Sequence, residues 1–250
     1  MSVKPPAESV DKILGGALTI VQPLSGYRFS VDSILLGRFA RPRKRDRVLE
    51  LGGGCGVISL MLAALYRPRE VVAIELQPEL AALAAGNARL NDLAMVRSVR
   101  GDLRARRING IAPAWFDYVV ANPPYRALRS GRESPNASRR IARGAGGASL
   151  AEFITAADRY AANGAKVALV FTAARTAELV AELKLRALEP KRIRFVHPRV
   201  TMPATTVLIE ARKGGGIEAE IEPPLVLYER PGIYSVEARA LLSGDEPPIA

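Results

Sequence analysis

The sequence has very little of the residues that build disulfides and metal centres. Among 250 residues there is one cysteine, Cys55, and one histidine, His197. They can form neither an intramolecular disulfide nor a conventional structural zinc site, so we expect a reducing compartment and no bound metal. His197 precedes Pro198 and is expected to be structural. Cys55 lies among glycines because it is small, and no nucleophilic role is expected for it.

Long apolar runs are also missing. The longest, Val57 to Tyr66, is too short to cross a bilayer and fits a buried helix. The N-terminal segment Met1 to Pro6 lacks the apolar core of a signal peptide. These two absences predict a cytoplasmic protein.

Apolar residues are nevertheless abundant enough to build a folded core. Hydrophobic residues make up 48% of the chain and charged residues 24%, which is typical of a soluble globular protein with one or two domains. We expect one α/β domain in three parts. They are an N-terminal hairpin and helix over residues 1–45, a core over residues 46–213 and a C-terminal extension over residues 214–250.

Positive charge dominates the composition. The chain has 36 Lys and Arg against 25 Asp and Glu, a formal net charge of +11. A polyanion such as RNA or DNA is the natural partner, although charge runs can also be no more than solvated surface. Three groups hold many of the cations: Arg38, Arg41, Arg43, Lys44, Arg45 and Arg47; Arg97, Arg100, Arg104, Arg106 and Arg107; Arg126, Arg129, Arg132, Arg139, Arg140 and Arg143.

A glycine-rich turn, Glu50 to Gly56, joins the predicted strand Arg47–Leu51 to the predicted helix Val57–Tyr66. Glycines let a ligand approach the backbone, and the helix N-terminus presents unpaired N–H groups. The pattern departs from the dinucleotide fingerprint, because Ser59 stands where a third glycine belongs. Glu50 would repel a pyrophosphate, whereas a ligand carrying an ammonium and a sulfonium tolerates it. The alternative is a tight turn without a ligand.

Two acids follow the next two predicted strands. Glu75 ends the strand Val71–Glu75, about 20 residues beyond the glycines, where a carboxylate can accept both ribose hydroxyls. Asp102 follows the strand Met95–Val99 and could accept from an adenine amino group, while backbone atoms beside it, at Leu103, fix the ring. The alternatives are capping or surface roles for both acids.

A turn of sequence Asn-Pro-Pro-Tyr ends the predicted strand Trp115–Val120. An amino group on an aromatic ring is a poor nucleophile, because its lone pair is delocalised. The side-chain oxygen of Asn122 and the backbone carbonyl of Pro123 could accept its hydrogens and draw that pair back onto nitrogen. The prolines, including Pro124, fix the backbone, and Tyr125 offers a flat face for a nucleobase. A simple proline-rich turn is the structural alternative.

The remaining elements are predicted from apolar spacing and turn residues. Near the N-terminus we expect a short helix over Glu8–Leu14, a hairpin that pairs Ala17–Gln22 with Tyr27–Ser30, and a helix through Arg38 capped by Ser30 or Asp32. Residues 126–147 are predicted to be a mobile loop that orders on substrate. The other predicted elements are the helices Pro78–Leu90, Ser149–Ala162 and Arg175–Ala187, the strands Ala165–Phe171, Arg192–His197 and Thr205–Glu210, an extended segment at Ile217–Tyr228 and a loose end.

With these residues in view, the chain resembles the class I S-adenosylmethionine-dependent methyltransferases that methylate exocyclic amines. The glycine turn, Glu75, Asp102 and the Asn-Pro-Pro-Tyr turn carry that resemblance. Flanking segments resemble the bacterial tRNA adenine-N6 methyltransferases that act beside the anticodon of valine tRNA. Those segments are Glu8-x-x-Asp11, Gln22, Gly26-Tyr27-Arg28-Phe29-Ser30-x-Asp32-Ser33-x-Leu35-Leu36, Val196-His197-Pro198, Pro224-Leu225-x-x-Tyr228 and Tyr234-Ser235-x-Glu237.

The resemblance implies a seven-stranded Rossmann-like sheet, six strands parallel and the seventh antiparallel, with helices on both faces. It implies that residues 46–213 form the methyltransferase domain, that S-adenosylmethionine is the donor and leaves as S-adenosylhomocysteine, and that a tRNA or another structured RNA is the partner. The implied donor-binding residues are Asp32, Glu50, Gly52, Gly54, Gly56, Glu75, Asp102, Leu103 and Asn122. The implied catalytic residues, which would hold the target adenine, are Asn122, Pro123, Pro124 and Tyr125.

Other acceptors fit the same chemistry. A glutamine amide in a translation factor, a guanine or adenine in ribosomal RNA and an adenine in DNA all present a planar nitrogen. The glutamine enzymes would be expected to carry an extra N-terminal domain. A different class is a donor-binding module that contacts RNA without turnover, and the presence of both Asn122 and Tyr125 argues against it.

Overall fold

The computed structural model describes residues 8–25, 28–124 and 147–243. Within these ranges the chain alternates strands and helices, as the spacing of apolar residues predicts. The strands are β1 Glu8–Ile13, β2 Leu18–Pro23, β3 Arg47–Leu51, β4 Glu70–Glu75, β5 Val96–Arg100, β6 Phe116–Ala121, β7 Ala161–Thr172, β8 Leu188–His197, β9 Thr206–Lys213, β10 Glu220–Ile221, β11 Leu225–Val226, β12 Tyr228–Arg230 and β13 Ile233–Tyr234. The helices are α1 Val31–Phe39, α2 Val57–Tyr66, α3 Pro78–Leu90, α4 Leu150–Tyr160, α5 Thr176–Lys184 and α6 Val236–Ser243.

The central sheet has the strand order β5-β4-β3-β6-β7-β9-β8, with the short strands β10 and β11 both paired to β8. Every pairing from β5 to β7 is parallel, whereas β9 is antiparallel to both of its neighbours. The prediction of six parallel strands and an antiparallel seventh is therefore confirmed. The sequence analysis missed β10 and β11, because two-residue strands are defined by their pairing with β8 and have no apolar pattern of their own.

Alternate residues of the central strands pack on opposite faces of the sheet. In β3, Val48 belongs to the apolar cluster that contains Leu60 of α2, while Leu49 belongs to the cluster that contains Phe153 of α4. These three-layer contacts bury β3 and β6 except at Arg47 and Asp117, which are partly exposed. A parallel sheet covered on both faces leaves its carboxyl edge as the place where a ligand can reach strand ends.

The N-terminal segment differs from the prediction. Glu8–Ile13 is a strand and not part of a helix, and it pairs antiparallel with Leu18–Pro23. The predicted hairpin with Tyr27–Ser30 is wrong for residues 28–30, which lie outside any strand, while Tyr27 lies outside the described residues. The cause is the short turn at Gly15 and Gly16, both with positive φ, which folds β2 back on the preceding segment instead of the following one.

The rest of the chain agrees with the prediction except at its end. The helices Val57–Tyr66 and Pro78–Leu90 are confirmed, and those near residues 150 and 176 are shorter than predicted. The loose end is wrong for α6, because Arg38 Nε donates to the carbonyl of Leu241 at 3.2 Å and so ties α6 to α1. The predicted loop 126–147 lies outside the described residues except for Gly147, and the three-part division of the domain stays a prediction. No helix in the described ranges is long and apolar enough to cross a membrane.

Candidate active site

The glycine turn packs tightly between β4 and α3. The amides of Gly52 and Gly53 both donate to the carbonyl of Ile74 at 2.9 Å. A Cβ added at Gly53 would lie 2.8 Å from Ala73 Cβ, and one added at Gly56, where φ is +88°, would lie 3.0 Å from Ala84 Cβ. Side chains are therefore excluded at Gly53 and Gly56 by the neighbouring alanines, and backbone forms much of the surface at the carboxyl end of β3.

Glu50 is buried behind the turn and faces α2. Its Oε2 accepts hydrogen bonds from the amide of Ser59 at 2.9 Å and from the Ser59 hydroxyl. Gly56 is the N-cap residue of α2 and has no side chain to cap the helix, so Glu50 supplies the capping acceptor from the neighbouring strand. Burial raises the pKa of Glu50 to about 8, despite the two hydrogen bonds from Ser59. The contact also explains why serine occupies position 59, where the dinucleotide fingerprint has a third glycine, because glycine has no hydroxyl to donate to Glu50.

Glu75 lies beside the glycine turn at the end of β4. Its Oε2 accepts from the amide of Gly54 at 2.9 Å, and its Oε1 accepts from the amide of Gln77 at 2.9 Å. The side chain is 7% exposed, and burial raises its pKa although the backbone amides oppose that shift. Each carboxylate oxygen accepts one of these bonds and retains a second lone pair. The structure thus brings Glu75 and the glycines together, as the sequence predicts.

Asp102 follows β5 and adjoins Glu75, because the amide of Gly101 donates to the Glu75 carbonyl at 2.8 Å. Arg104 donates to both oxygens of its carboxylate, with Nε 2.9 Å from Oδ1 and Nη2 2.7 Å from Oδ2. This hydrogen bonding lowers the pKa of Asp102. Leu103 is buried in the apolar cluster beneath. An adenine amino group would therefore share the Asp102 carboxylate with Arg104 or displace the Arg104 guanidinium. The sequence analysis did not predict this competition.

Asn122 follows β6 and stands beside the glycine turn. Leu51 of β3 is paired with Ala121 of β6, so Gly52 and Asn122 leave adjacent strands at the same level, about 4.8 Å apart in the direction across the sheet. The Nδ2 group of Asn122 donates to Ser33 Oγ at 3.2 Å. Within the described ranges no residue donates to Asn122 Oδ1, so that oxygen remains an acceptor.

Of the other three predicted catalytic residues, the structure describes two. Pro123 is buried and Pro124 is half-buried after Asn122, whereas Tyr125 lies outside the described residues. Ser33, which sequence reasoning did not single out as a site residue, is 1% exposed on α1. Its neighbour Asp32 accepts from Thr206 Oγ1 at 3.4 Å, which places Asp32 over β9. The N-terminal turn of α1 therefore lies above the strand ends next to Asn122.

The single histidine and the single cysteine lie outside the candidate active site. His197 is on β8, separated from β6 by β7 and β9, and its Nδ1 is 2.8 Å from the carbonyl of Met202. Cys55 is fully buried, and burial raises the pKa of its thiol to about 12, with a smaller contribution from Glu50. Neither is placed to act at Asn122. Within the described ranges no three His, Cys, Asp or Glu residues cluster closely enough to hold a metal ion.

The arrangement can therefore bind a ligand with hydroxyl or amino donors along Glu75 and Asp102. It can also hold a planar amino group at Asn122, one strand away. This geometry suits transfer of an activated group to a nitrogen whose hydrogens are held by neutral oxygens.

Comparison with known proteins agrees with this geometry. The family model described as "Methyltransferase small domain" matches residues 30–184. The tRNA1(Val) (adenine(37)-N6)-methyltransferase of Aeromonas hydrophila is 30% identical over 210 residues, which cover 83% of this chain and 85% of the relative. The protein of the same name from Tolumonas auensis is 29% identical, covering 89% of this chain and 91% of the relative.

Solved structures share the fold. A predicted O-methyltransferase from Agrobacterium tumefaciens superposes with a TM-score of 0.67 and 22% identity, covering 86% of this chain and 96% of that chain. The TYW2 protein of M. jannaschii, solved in complex with AdoMet, superposes with a TM-score of 0.57 and 15% identity, covering 85% and 88%. At these identities the likeness concerns the arrangement of helices and strands.

Proposed function

This chain belongs to the methyltransferase small domain family, and from that premise we propose that it methylates the exocyclic N6 of an adenosine in a tRNA anticodon loop. It is an S-adenosylmethionine-dependent methyltransferase. The curated relatives that it matches over most of its length are named for adenine-N6 methylation of tRNA1(Val). The observation that carries the proposal is the pairing of Leu51 with Ala121, which sets the glycine turn and Asn122 side by side.

The donor half of the site has the chemistry that S-adenosylmethionine requires. When bound, this cofactor supplies an electrophilic methyl group on a sulfonium. The buried Glu75 carboxylate, fixed by the Gly54 amide at 2.9 Å, would accept the ribose hydroxyls, and Asp102 with Leu103 would bind the adenine. The donor would also contact Asp32, Gly52, Gly54, Gly56 and Asn122, whereas Glu50, which is buried and bonded to Ser59, would support the turn from behind.

The acceptor half would hold the amino group of the target adenine. Asn122 Oδ1 and the Pro123 carbonyl each accept one N6 hydrogen, which draws the nitrogen lone pair out of conjugation with the ring. Ser33 keeps the amide oriented by accepting from Asn122 Nδ2 at 3.2 Å. The lone pair would then form the new N–C bond while the methyl–sulfur bond of the donor breaks and its electron pair stays on the sulfur of S-adenosylhomocysteine, and the proton released from N6 would pass to water. Pro124 fixes the direction of the chain, and Tyr125 would stack on the base.

The RNA would be bound through arginine-rich surface. The formal net charge of +11 supports a polyanionic partner. An adenine in a folded loop must be unstacked before it reaches Asn122, and a single-stranded loop makes this step inexpensive.

The acceptor is tested by incubating the protein with labelled S-adenosylmethionine and separate pools of deproteinised tRNA, ribosomal RNA, DNA and cellular protein. We expect N6-methyladenosine in tRNA alone, mapped by nucleoside mass spectrometry to the anticodon loop. Label in guanine, in DNA adenine or in protein glutamine, with none in tRNA, would overturn the proposal.

A further inference from the structure

A basic patch lies at the amino ends of β4, β3 and β6, at the edge of the sheet opposite Asn122. The turn before β3 is closed by the Asp46 amide, which donates to the Arg43 carbonyl at 3.0 Å. The segment before β4 touches that turn, because the Arg69 amide donates to the Asp46 carbonyl at 3.0 Å. Trp115 directly precedes β6, on the other side of β3. We define the amino-edge patch as Arg43, Lys44, Arg45, Arg67, Arg69 and Trp115.

Exposure, and the lack of ion pairs within the described part of the chain, distinguish the five cations of the amino-edge patch. All five side chains are exposed, and none forms an ion pair with a residue in the described ranges. Arginines elsewhere, such as Arg104 and Arg194, are ion-paired. Two carboxylates near the patch are already engaged, while Glu70, which also acts on Arg47, directly follows Arg69. Asp46 Oδ2 accepts from the Arg43 amide at 2.7 Å, and Asp117 is held by Arg47, which lowers its pKa more than Arg69 does.

Trp115 adds a flat aromatic surface to these charges. The side chain is 46% exposed although it precedes a buried strand. The Arg47 guanidinium covers one side of the ring at 4.0 Å from its centroid, and Asp117 fixes that guanidinium with bonds of 2.9 and 3.0 Å. The ring is thus held rigidly while nearly half of its surface faces solvent. Cations interleaved with an exposed aromatic ring are the combination that binds single-stranded nucleic acid, through phosphates and stacked bases.

We propose that the amino-edge patch is a second RNA-binding surface, which holds phosphates on its cations and a base on Trp115; this inference rests on the proposed function. Strand β6 separates Trp115 from Asn122, a distance of about 20 Å for an extended strand of this length. The RNA segment on the patch is therefore not the loop that enters the active site but a part of the same tRNA outside that loop. The patch contributes affinity for the whole tRNA and leaves the methylation step unchanged.

The test uses intrinsic fluorescence, because Trp115 is the sole tryptophan of the sequence. Titration of the full chain with unmodified tRNA should quench Trp115 fluorescence as a base stacks on the ring. The charge-reversed variant R43E/K44E/R45E should lose this quenching. A matched variant with the same change in charge at exposed sites on α3, β9 and α6, R89E/R212E/R239E, should keep it. Donor binding by each variant verifies that it is folded.

Methylation kinetics provide the second measurement. For full-length tRNA, R43E/K44E/R45E should raise KM about tenfold with kcat unchanged. The affinity should also depend less on salt, and the steepness of log affinity against log salt should decrease by about 1 for each lost phosphate contact. For an isolated anticodon stem-loop the same variant should change KM less than twofold. Unaltered fluorescence at saturating tRNA, or equal KM increases in both triple variants, would overturn the proposal. Fluorescence reports RNA binding without turnover, so it distinguishes failure of the patch from failure of the proposed methylation.

Discussion

Ser33 is the partner of the Asn122 amide, whose Nδ2 donates to Ser33 Oγ at 3.2 Å. This contact holds the plane of the amide, although a hydroxyl is both donor and acceptor and can turn to donate to the amide oxygen instead. The sequence analysis identified Asn122 from the residues that follow it. It could not identify this partner, since the two residues are 89 positions apart and meet only when α1 packs over the sheet, against β7 and β9.

Replacing Ser33 with Ala is expected to lower kcat about tenfold with KM and donor affinity unchanged, because the released amide spends part of its time turned away. Steady-state methylation of tRNA and donor titration would measure both effects. Ser30→Ala is the matched control, since Ser30 begins the same helix and makes no side-chain capping bond. In an Asn122→Ala background Ser33→Ala should change nothing further; an additive loss would show that Ser33 acts independently of Asn122.

Glu50 makes stability depend on pH in an unusual direction. Its folded-state pKa, about 8, lies above the ordinary value of 4.5, so between these values the folded chain binds more protons than the unfolded chain. The neutral form of Glu50 therefore contributes to the free energy of unfolding in full below about pH 4.5. This contribution is lost as pH rises toward about 8, by up to ~1.4 kcal/mol per pH unit.

Glu50→Gln should remove this dependence, because a neutral amide can still accept from the Ser59 amide. Urea unfolding at pH 5.5 and pH 8.5, without donor, should give the variant a gain over the parent chain that is larger at the higher pH. Glu79→Gln makes the same chemical change at an exposed position of α3 and should show no such gain. A stability difference between Glu50→Gln and the parent chain that is equal at both pH values would contradict this assignment.

At the scale of the element, α3 connects the N-terminal hairpin to the glycine turn. Asn87 Nδ2 donates to the carbonyls of Val21 and Cys55 at 2.8 and 2.9 Å, and its Oδ1 accepts from the Val21 amide at 2.9 Å. Asn91 makes the equivalent pair of bonds with Thr19, at 2.8 and 2.7 Å. Two side chains one helical turn apart thus pair with β2 as a neighbouring strand would, and they cover its edge.

Asn87→Ala should therefore loosen the hairpin and the glycine turn together. Leaving buried groups of Val21 and Cys55 unpaired should cost about 2 kcal/mol or more, and the Val21 amide should lose protection in hydrogen exchange. Donor affinity should fall as well, because the Cys55 carbonyl lies within the turn. Asn109→Ala, at an exposed loop position, serves as the control. Unchanged protection of β2 in Asn87→Ala would refute this coupling.

The elements predictable from sequence are those with a local pattern. Val57–Tyr66 and Pro78–Leu90 have helical apolar spacing bounded by glycine or proline, and both are confirmed. Glu8–Ile13 has weak alternation, and its strand state depends on pairing with Leu18–Pro23. The contact of Glu50 with Ser59 likewise required knowledge of how α2 leaves the turn. Local chemistry therefore predicted the motifs, and tertiary packing determined the partners of their side chains.

At the scale of the whole molecule, the two edges of the sheet differ in their chemistry. The carboxyl edge holds the glycine turn, Glu75 and Asn122, and the amino edge holds Trp115 and cations that form no ion pair among the described residues. The first arginine-rich group of the sequence lies at the amino edge. The clustering of charge along the chain did not indicate how far this group lies from the candidate active site. The C-terminal segment completes the sheet beyond β8 and packs α6 on α1.

Leu225→Ala tests whether this C-terminal segment is integral to the fold. Leu225 is 1% exposed in β11, and its truncation should cost about 2–5 kcal/mol. Ile221→Ala in the adjacent short strand β10 is the control, because Ile221 is 60% exposed and should cost less than about 0.5 kcal/mol. Chemical denaturation of both variants would compare them. Equal, small losses would show that residues beyond Lys213 contribute little to the fold.

The central claim concerns the acceptor oxygen of Asn122, and Asn122→Ala measures it most directly. Single-turnover methylation of tRNA with saturating donor should fall about 10²- to 10³-fold in this variant, because an oxygen that acts at the transition state is lost. Donor affinity, measured by calorimetry, should stay within about threefold of the parent chain, since Glu75 and the glycine turn are untouched. N6-methyladenosine formed at an unchanged rate by Asn122→Ala would contradict the account.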